Sequence, residues 1–434
     1  MTRAPTVTVA GGGLAGLVAA RHLASAGVDV TLYERREEVG GRVRTLERDG
    51  YRFDRGFQVL FTEYPAVRAE LDLDALALRR FAPGAIIARD GRRSTLSDPF
   101  RDPKALPSTL FNTDVTVRDK LEILRLRRDL AGRDADAIFA AENADRSIEA
   151  YLRDRGFSDR FLENFAAPFY GGITLDRSLS TSSRVFEYTF RTLSRGSIAV
   201  PATGMAQIPT QLATKANAEG AVLETGRAVT AIEPREDGVA VTVERDAGEG
   251  TAETLEPDAV VVATDPPTAR ELTGLESIPT EAKGCVTQYY AMPEGTDLGT
   301  GGRLVLNAEG GVGPNHVVPH SAVAPEYAPD DATLLSATYL GEPEADDETL
   351  LERTRAALDS WYPERLFEEL ELCHTERVPF AQFAQPPGIH DDLPGPRGVG
   401  DGVYLAGDYT QWSSIQGALE SGRRAAEAVT ADLG

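Results

Sequence analysis

The sequence predicts an α/β protein in which a helix-flanked parallel sheet is interrupted by a mixed α+β domain inserted in two pieces. Three observations carry this. The chain opens with a β-branched strand and a Gly-x-Gly-x-x-Gly loop, residues 6–16. It closes with a strand-like run, an aspartate and a helix of small residues, residues 402–429. The 434 residues are too many for one ordinary core, and helical and strand-like stretches lie between the two ends.

Residues 6–10, TVTVA, alternate and are β-branched, the pattern of a buried strand. Gly11, Gly13 and Gly16 follow. Residues 14–26 read as a helix, small on one side and ended by Gly27, and VDVTLYE reads as a second strand ending at Glu34. Strand, glycine loop, helix, strand and acid in this order form a Rossmann-like dinucleotide-binding unit. Its glycines provide a tight turn, room for a pyrophosphate against bare backbone, and close helix–strand packing. Leu14 and Ala15 begin a helix whose free N–H groups and dipole favour phosphate. Glu34 stands where an acid binds both ribose hydroxyls and repels a 2′-phosphate, which disfavours NADP. FAD and NAD both fit this unit.

The next residues, ERREEVGGRVRT, contain Arg36, Gly40, Gly41 and Arg42. A glycine pair brings backbone against a cofactor, and Arg42 can neutralise its pyrophosphate. FDRGFQVL, residues 53–60, holds Gly56, Phe57 and Gln58. At the other end, VYLAG reads as a strand and Asp408 follows Gly407 at its end. Residues 413–416, SSIQ, read as a capping box opening a helix. Gly417, Ala418, Ser421, Gly422, Ala425 and Ala426 give that helix a small face able to lie close to a neighbour or ligand.

In these motifs the chain resembles the superfamily of flavin-containing amine oxidases, phytoene desaturases and protoporphyrinogen oxidases. The resemblance implies FAD, with Glu34 on the adenosine ribose, Arg36 beside the adenosine, Arg42 approaching the pyrophosphate and Val229 meeting adenine. It places Gly56, Phe57 and Gln58 near the flavin ring, and Gly407, Asp408, Ile415 and Ala418 at the ribityl chain and ring edge. Gln416 stands where many relatives carry Glu or Asn. The C-terminal motif contains no cysteine, so no thioether link forms there and the FAD is expected to be non-covalent.

GRAVTAIEPREDGVAVTVE, residues 226–244, reads as strand, turn, strand, and PDAVVVATDP, residues 257–266, as a central strand. The cofactor domain is thus expected from residues 1–75, 195–275 and 385–434, and the substrate domain from 76–194 and 276–384. The first insertion reads mostly helical. The second carries the strand-like CVTQYYAM and the helical DETLLERTRAALDSWY. GGVGPNH, residues 310–316, has Pro314 where a helix should start, so no second dinucleotide domain is evident. That argues against electron supply from NAD(P)H.

Flavin oxidations need no protein nucleophile. The five histidines form no metal-ligand motif, and neither do Cys285 and Cys373. The expected reaction is oxidation, by desaturation, of an apolar isoprenoid- or carotenoid-like molecule through hydride transfer to flavin N5. Oxygen or a quinone is the expected electron acceptor. Gln58, Tyr170 and Tyr409 are the expected substrate contacts, with Phe169 and Trp412 beside them. An amine is the second substrate class, with Lys283 as the lysine that many amine oxidases place near N5. A tetrapyrrole is the third. A non-catalytic alternative is a prenyl-binding protein of the GDP-dissociation-inhibitor type, whose nucleotide site is degraded; here the motif residues are all present.

Residues 117–132, VRDKLEILRLRRDLAG, form a basic amphipathic pattern with Val117, Leu121 and Leu124 facing one way. They read first as a core-facing helix with a solvated rim and second as an element in peripheral contact with a membrane. The net charge is −23, which argues against nucleic acid as a partner. Lys104, Lys120, Lys215 and Lys283 are the only lysines among 45 basic residues. Dense carboxylate with scarce lysine points to a cytoplasm rich in salt, where self-repulsion is screened. The N-terminal residues lack the apolar core of a secretory signal, and two cysteines fit a reducing compartment.

Overall fold

A computed structural model of the chain describes residues 3–98, 101–236, 238–245 and 252–434. A five-stranded parallel sheet runs in the order Val222–Thr225, Asp29–Glu34, Thr6–Ala10, Ala259–Val262 and Val403–Leu405. The order reverses between Thr6–Ala10 and Ala259–Val262, and the crevice at that reversal is where such sheets bind ligands. The central strands are apolar on both faces because helices cover them; Val9, Val260, Val261 and Val262 are fully buried.

Helix Leu14–Ser25 packs on this sheet and on the C-terminal helix Ile415–Leu433. The small-faced pattern read from the sequence is what permits the second contact. A Cβ at Gly422 would lie 2.3 Å from the Ala15 carbonyl oxygen. The strand pair expected at 226–244 is Arg227–Arg235 and Gly238–Arg245, its turn including residue 237, which lies outside the described residues.

A second, seven-stranded sheet runs in the order Glu371–Phe383, Ala282–Pro293, Ala332–Leu340, His316–Val318, Leu304–Asn307, Ala85–Arg89 and Arg92–Leu96. Residues 76–194 are mostly helical, and the last two strands are an addition to that reading. They form a hairpin around Asp90 and Gly91, the latter at φ +61°, and Asp-Gly between two strand-forming runs was the signal for it. Helix Asp347–Trp361 covers this sheet, burying Leu350, Leu358 and Trp361.

Asp54 pins the segment between the sheets. Its carboxylate accepts bonds from Thr45 Oγ1 (2.5 Å), the Met205 N–H (2.9 Å) and Tyr327 OH (2.9 Å), and its carbonyl accepts Tyr289 OH (2.7 Å). Burial pushes this carboxyl up to about 6, against the three bonds that favour its charged form. Because the folded value is raised, the folded state binds the proton more tightly, and this group's contribution to stability falls as pH rises from about 4 to about 6. Asp54→Asn is therefore expected to leave stability unchanged near pH 4 and to raise it by about 1–3 kcal/mol above pH 6. Denaturant titrations at the two pH values check this; a variant less stable than wild type at pH 7 refutes it.

Helix Val117–Leu130 departs from its core-facing expectation. Val117, Leu121 and Leu124 are 72%, 51% and 44% exposed, while Asp119, Glu122, Leu126 and Leu130 are buried. The N-terminal cap decides the rotation. Asp119 accepts bonds from Thr116 and from both the N–H and Oγ of Ser158, which turns its face inward and the apolar stripe outward. Among the described residues no helix is long and apolar enough to cross a membrane.

Candidate active site

A cavity of about 920 Å³ opens at the carboxyl edge of the parallel sheet and extends to the second sheet. The glycine loop forms one end. Gly11, at φ +108°, sits against the Ala263 carbonyl, where a Cβ would come within 2.7 Å. Gly13 is the N-cap of the first helix and has no side-chain cap bond, and a Cβ there would meet nothing within 4 Å. It opens onto the cavity with Leu14 and Ala15. Gly16 serves a different purpose. It lies beneath the loop, a Cβ would be 2.0 Å from the Gly11 carbonyl oxygen, and it does not line the cavity. Gly41, at φ +61°, passes directly over Gly13, and Gly40, at φ +127°, donates its N–H to the Gly12 carbonyl (2.8 Å).

Glu34 ends the second strand with its carboxylate at the cavity wall, accepting bonds from the Gly12 N–H (2.7 Å) and the Arg36 N–H (3.0 Å). Two N–H bonds leave acceptor capacity on both oxygens for vicinal hydroxyls. Arg36 and Val229 line the same end. Burial and the neighbouring Arg35 hold the Arg36 guanidinium below its usual range, against the pull of Glu34.

Arg42 crosses the middle of the cavity. It donates to Asp408 Oδ1 (2.7 Å) and to the Ala381 carbonyl (3.0 Å), and Ser413 Oγ donates to Asp408 Oδ2 (2.7 Å). Burial lowers the Arg42 affinity for its proton, and the Asp408 carboxylate, with Asp265 and Tyr409 behind it, more than reverses that. Gly407, Asp408, Ile415 and Ala418 line the cavity. The helix cap is corrected by one residue. Ser414, not Ser413, is the N-cap and accepts the Gly417 N–H (2.8 Å), while Gln416 points away and accepts the Ala66 N–H (2.8 Å).

Gly56, Phe57 and Gln58 border the cavity on the side of the second sheet. Gln58 Nε2 donates to the carbonyls of Arg42 (2.9 Å) and Arg55 (3.3 Å), which fixes the amide with Oε1 facing away from them. Of the helix Ala167–Thr174, Pro168, Phe169, Gly172, Ile173 and Thr174 line the cavity. Tyr170, in the same helix, does not line it. Tyr170 is instead buried against Phe186, at 4.6 Å between centroids. Tyr409 is corrected likewise: it is fully buried, and its hydroxyl donates to the Val262 carbonyl (3.0 Å) under the parallel sheet. Trp412 does line the cavity, stacked on Phe139. Lys283 does not line it, and its Nζ lies 3.5 Å from Asp176 Oδ2. Leu304, Leu306 and His316 are lining residues that pattern reading missed. They come from short inner strands of the second sheet, where an apolar run alone does not say which face meets a cavity.

A bare-backbone loop at an uncapped helix start, a carboxylate at a strand end and a half-buried Arg42 paired with the buried Asp408 define a dinucleotide-type cleft. The sequence pattern of the family described as flavin containing amine oxidoreductase matches residues 14–430. The chain belongs to that family, and its cofactor class is a flavin. It is 30% identical over 295 residues to a phytoene dehydrogenase of Streptomyces griseus, covering 62% of this chain and 56% of that protein. It is 60% identical over 50 residues to a carotenoid 3,4-desaturase of Haloarcula japonica, covering 12% of this chain and 10% of that one. The chain thus matches at most about half the length of these two relatives. An oxidoreductase from Methanosarcina mazei has the same fold at 18% identity, with a TM-score of 0.73 over 98% of this chain and 100% of that one. Cyclohexylamine oxidase from Brevibacterium oxydans also has it at 18% identity, with a TM-score of 0.69 over 99% and 100%.

Proposed function

We propose that this chain is an FAD-dependent oxidoreductase that desaturates an apolar, isoprenoid-like small molecule. One observation carries the substrate class: away from the glycine loop the cavity is walled by Phe57, Phe169, Ile173, Leu304 and Leu306. The similarity to the phytoene dehydrogenase supports the same class. FAD, held non-covalently, supplies a ring that accepts hydride at N5. The chain's own residues bind and orient. Glu34 receives the adenosine ribose, with Arg36 and Val229 flanking the adenine end. Gly11, Gly13, Leu14 and Ala15, under Gly40 and Gly41, leave backbone open to the pyrophosphate, and Arg42 adds positive charge there. Asp408 orients Arg42 and takes a ribityl hydroxyl, while Ile415 and Ala418 present the start of the last helix to the ring edge. Gly56, Phe57 and Gln58 would lie near the flavin ring, and Gln58 would also contact the substrate. The cofactor domain comprises residues 1–75, 195–275 and 385–434, and the substrate domain 76–194 and 276–384.

Anaerobic mixing of the purified yellow protein with carotenoid precursors, amines and porphyrinogens tests this. Bleaching by the polyene precursors is expected. Bleaching by amines alone overturns the substrate class. Oxygen or a quinone is the proposed acceptor, and reoxidation of the bleached protein by neither would remove both.

The helix Val117–Leu130 supports peripheral membrane contact, because its exposed apolar stripe is flanked by Arg125 and Arg128. Co-sedimentation with vesicles containing phosphatidylglycerol is expected and should be lost in Leu121→Asp/Leu124→Asp; equal sedimentation of that variant refutes it. The acidic surface supports a high-salt cytoplasm as the working environment. Thermal stability is expected to rise between dilute buffer and molar KCl as surface repulsion is screened. Retained fold in dilute buffer with loss in KCl would refute that placement.

A further inference from the structure

A second cavity, of about 410 Å³, shares no lining residue with the flavin cleft. It lies where the hairpin at the edge of the second sheet meets the segment that leads into helix Val117–Leu130. Every residue lining it is polar or charged, and Arg89, Arg92 and Arg160 bring three guanidiniums to it. Asp114, 1% exposed, holds two of them: its Oδ1 accepts Arg92 Nη2 (2.8 Å) and Arg89 Nη1 (3.3 Å). Its Oδ2 accepts Ser94 Oγ, and its carbonyl accepts Asn164 Nδ2 (3.1 Å). The two arginine side chains are nevertheless open, 42% and 53% exposed. Arg160 donates to the Thr113 carbonyl (3.1 Å), and no carboxylate pairs with it among the described residues. Glu163, exposed, is the second acid on the wall. Three positive charges therefore meet two negative ones, and each guanidinium keeps N–H donors beyond its protein bonds. Convergent, open guanidinium donors in excess of carboxylate are the recognition chemistry of a phosphate group. In a chain of net charge −23 this pocket runs against the charge of the whole.

The position of the pocket names the source of the phosphate. Thr113 lines it, and Val117, 72% exposed, begins the outward apolar stripe at most about 14 Å further along the chain. The segment between them is fixed, because Thr116 caps the helix and Lys120 reaches back to the Asn112 carbonyl (3.1 Å). The geometry points to a lipid headgroup site: Arg89, Arg92 and Arg160 take the phosphate of an anionic phospholipid while Val117, Leu121 and Leu124 enter the apolar layer. The inference rests on the membrane contact proposed above and adds a site that selects the lipid.

Co-sedimentation of the yellow protein with vesicles of phosphatidylcholine alone, and of phosphatidylcholine mixed with phosphatidylglycerol, tests this. The net charge repels an anionic surface, so without a local site phosphatidylglycerol would weaken binding. It is expected instead to strengthen binding about tenfold. Arg92→Lys/Arg160→Lys keeps both charges but loses the planar forks, and the preference is expected to fall towards one. Arg125→Lys/Arg128→Lys, beside the stripe, is expected to keep it. An unchanged preference in a folded, yellow Arg92→Lys/Arg160→Lys overturns the pocket and leaves the membrane contact standing. Sedimentation with neither vesicle overturns the membrane contact and the headgroup site with it. Binding of glycerol 3-phosphate in equilibrium dialysis, with no preference for phosphatidylglycerol, overturns the lipid source and leaves a site for soluble phosphate. Should the double variant not fold, Arg160→Lys decides, since Arg160 holds no carboxylate among the described residues.

Discussion

Gly13→Val is expected to give a folded protein without flavin, and Gly16→Val is expected not to accumulate as a folded protein. The two glycines are three residues apart in one motif, yet their surroundings differ. Gly13 has φ −74° and ψ 178°, a conformation valine adopts readily, and a Cβ there meets nothing within 4 Å. The space a valine would occupy belongs to the cavity, over the uncapped start of the first helix. A branched side chain there separates a pyrophosphate from the backbone N–H groups, and we expect flavin occupancy to drop at least a hundredfold, about 3 kcal/mol. At Gly16 the added Cβ would stand 2.0 Å from the Gly11 carbonyl oxygen and 3.2 Å from Ala263 Cβ. Both neighbours are fixed by the parallel sheet, so relief requires moving the loop or the helix. Overpacking of this kind costs about 1–3 kcal/mol and more when backbone must shift. Circular dichroism and the ratio of visible to ultraviolet absorbance separate the two outcomes. A yellow Gly13→Val protein would remove the loop from the cofactor site.

Asp408→Ala is expected to lower stability by about 1–3 kcal/mol and to leave flavin occupancy partial. Asp408 is buried, and its two oxygens hold Arg42 and Ser413. Truncation strands the guanidinium in the cleft with only the Ala381 carbonyl, and the loss is moderated because Arg42 reaches cleft solvent. The adenosine end, held by Glu34 and the glycine loop, is untouched. Binding should persist while flavin reduction by substrate slows. Asp408→Asn keeps an acceptor for Arg42 and should fall between wild type and alanine. In a double-mutant cycle, Arg42→Met should cost less in the Asp408→Ala background than alone, since the pair is already broken. Full occupancy with a normal reduction rate in Asp408→Ala would mean that the C-terminal motif does not serve the flavin.

The sequence by itself determined the parallel cofactor sheet, its glycine loop and the two ends of the cleft, because these are local. A strand, a turn that needs positive φ and a small-faced helix each write their requirement into adjacent residues. Glu34, Gly40, Gly41 and Asp408 were legible for that reason, and all line the cavity. What the tertiary structure decided is which side chains turn toward the cavity and which toward the core. Tyr170 and Tyr409 are aromatic residues next to true lining positions, and only helix rotation and sheet packing exclude them. The outward apolar stripe of Val117, Leu121 and Leu124 depends on a cap bond to Ser158, 39 residues from Asp119. The Arg42–Asp408 pair joins residues 366 apart. The Asn315 amide is oriented by Arg177 and Pro168, more than a hundred residues upstream. Such contacts are long-range and directional, so neither periodicity nor spacing records them.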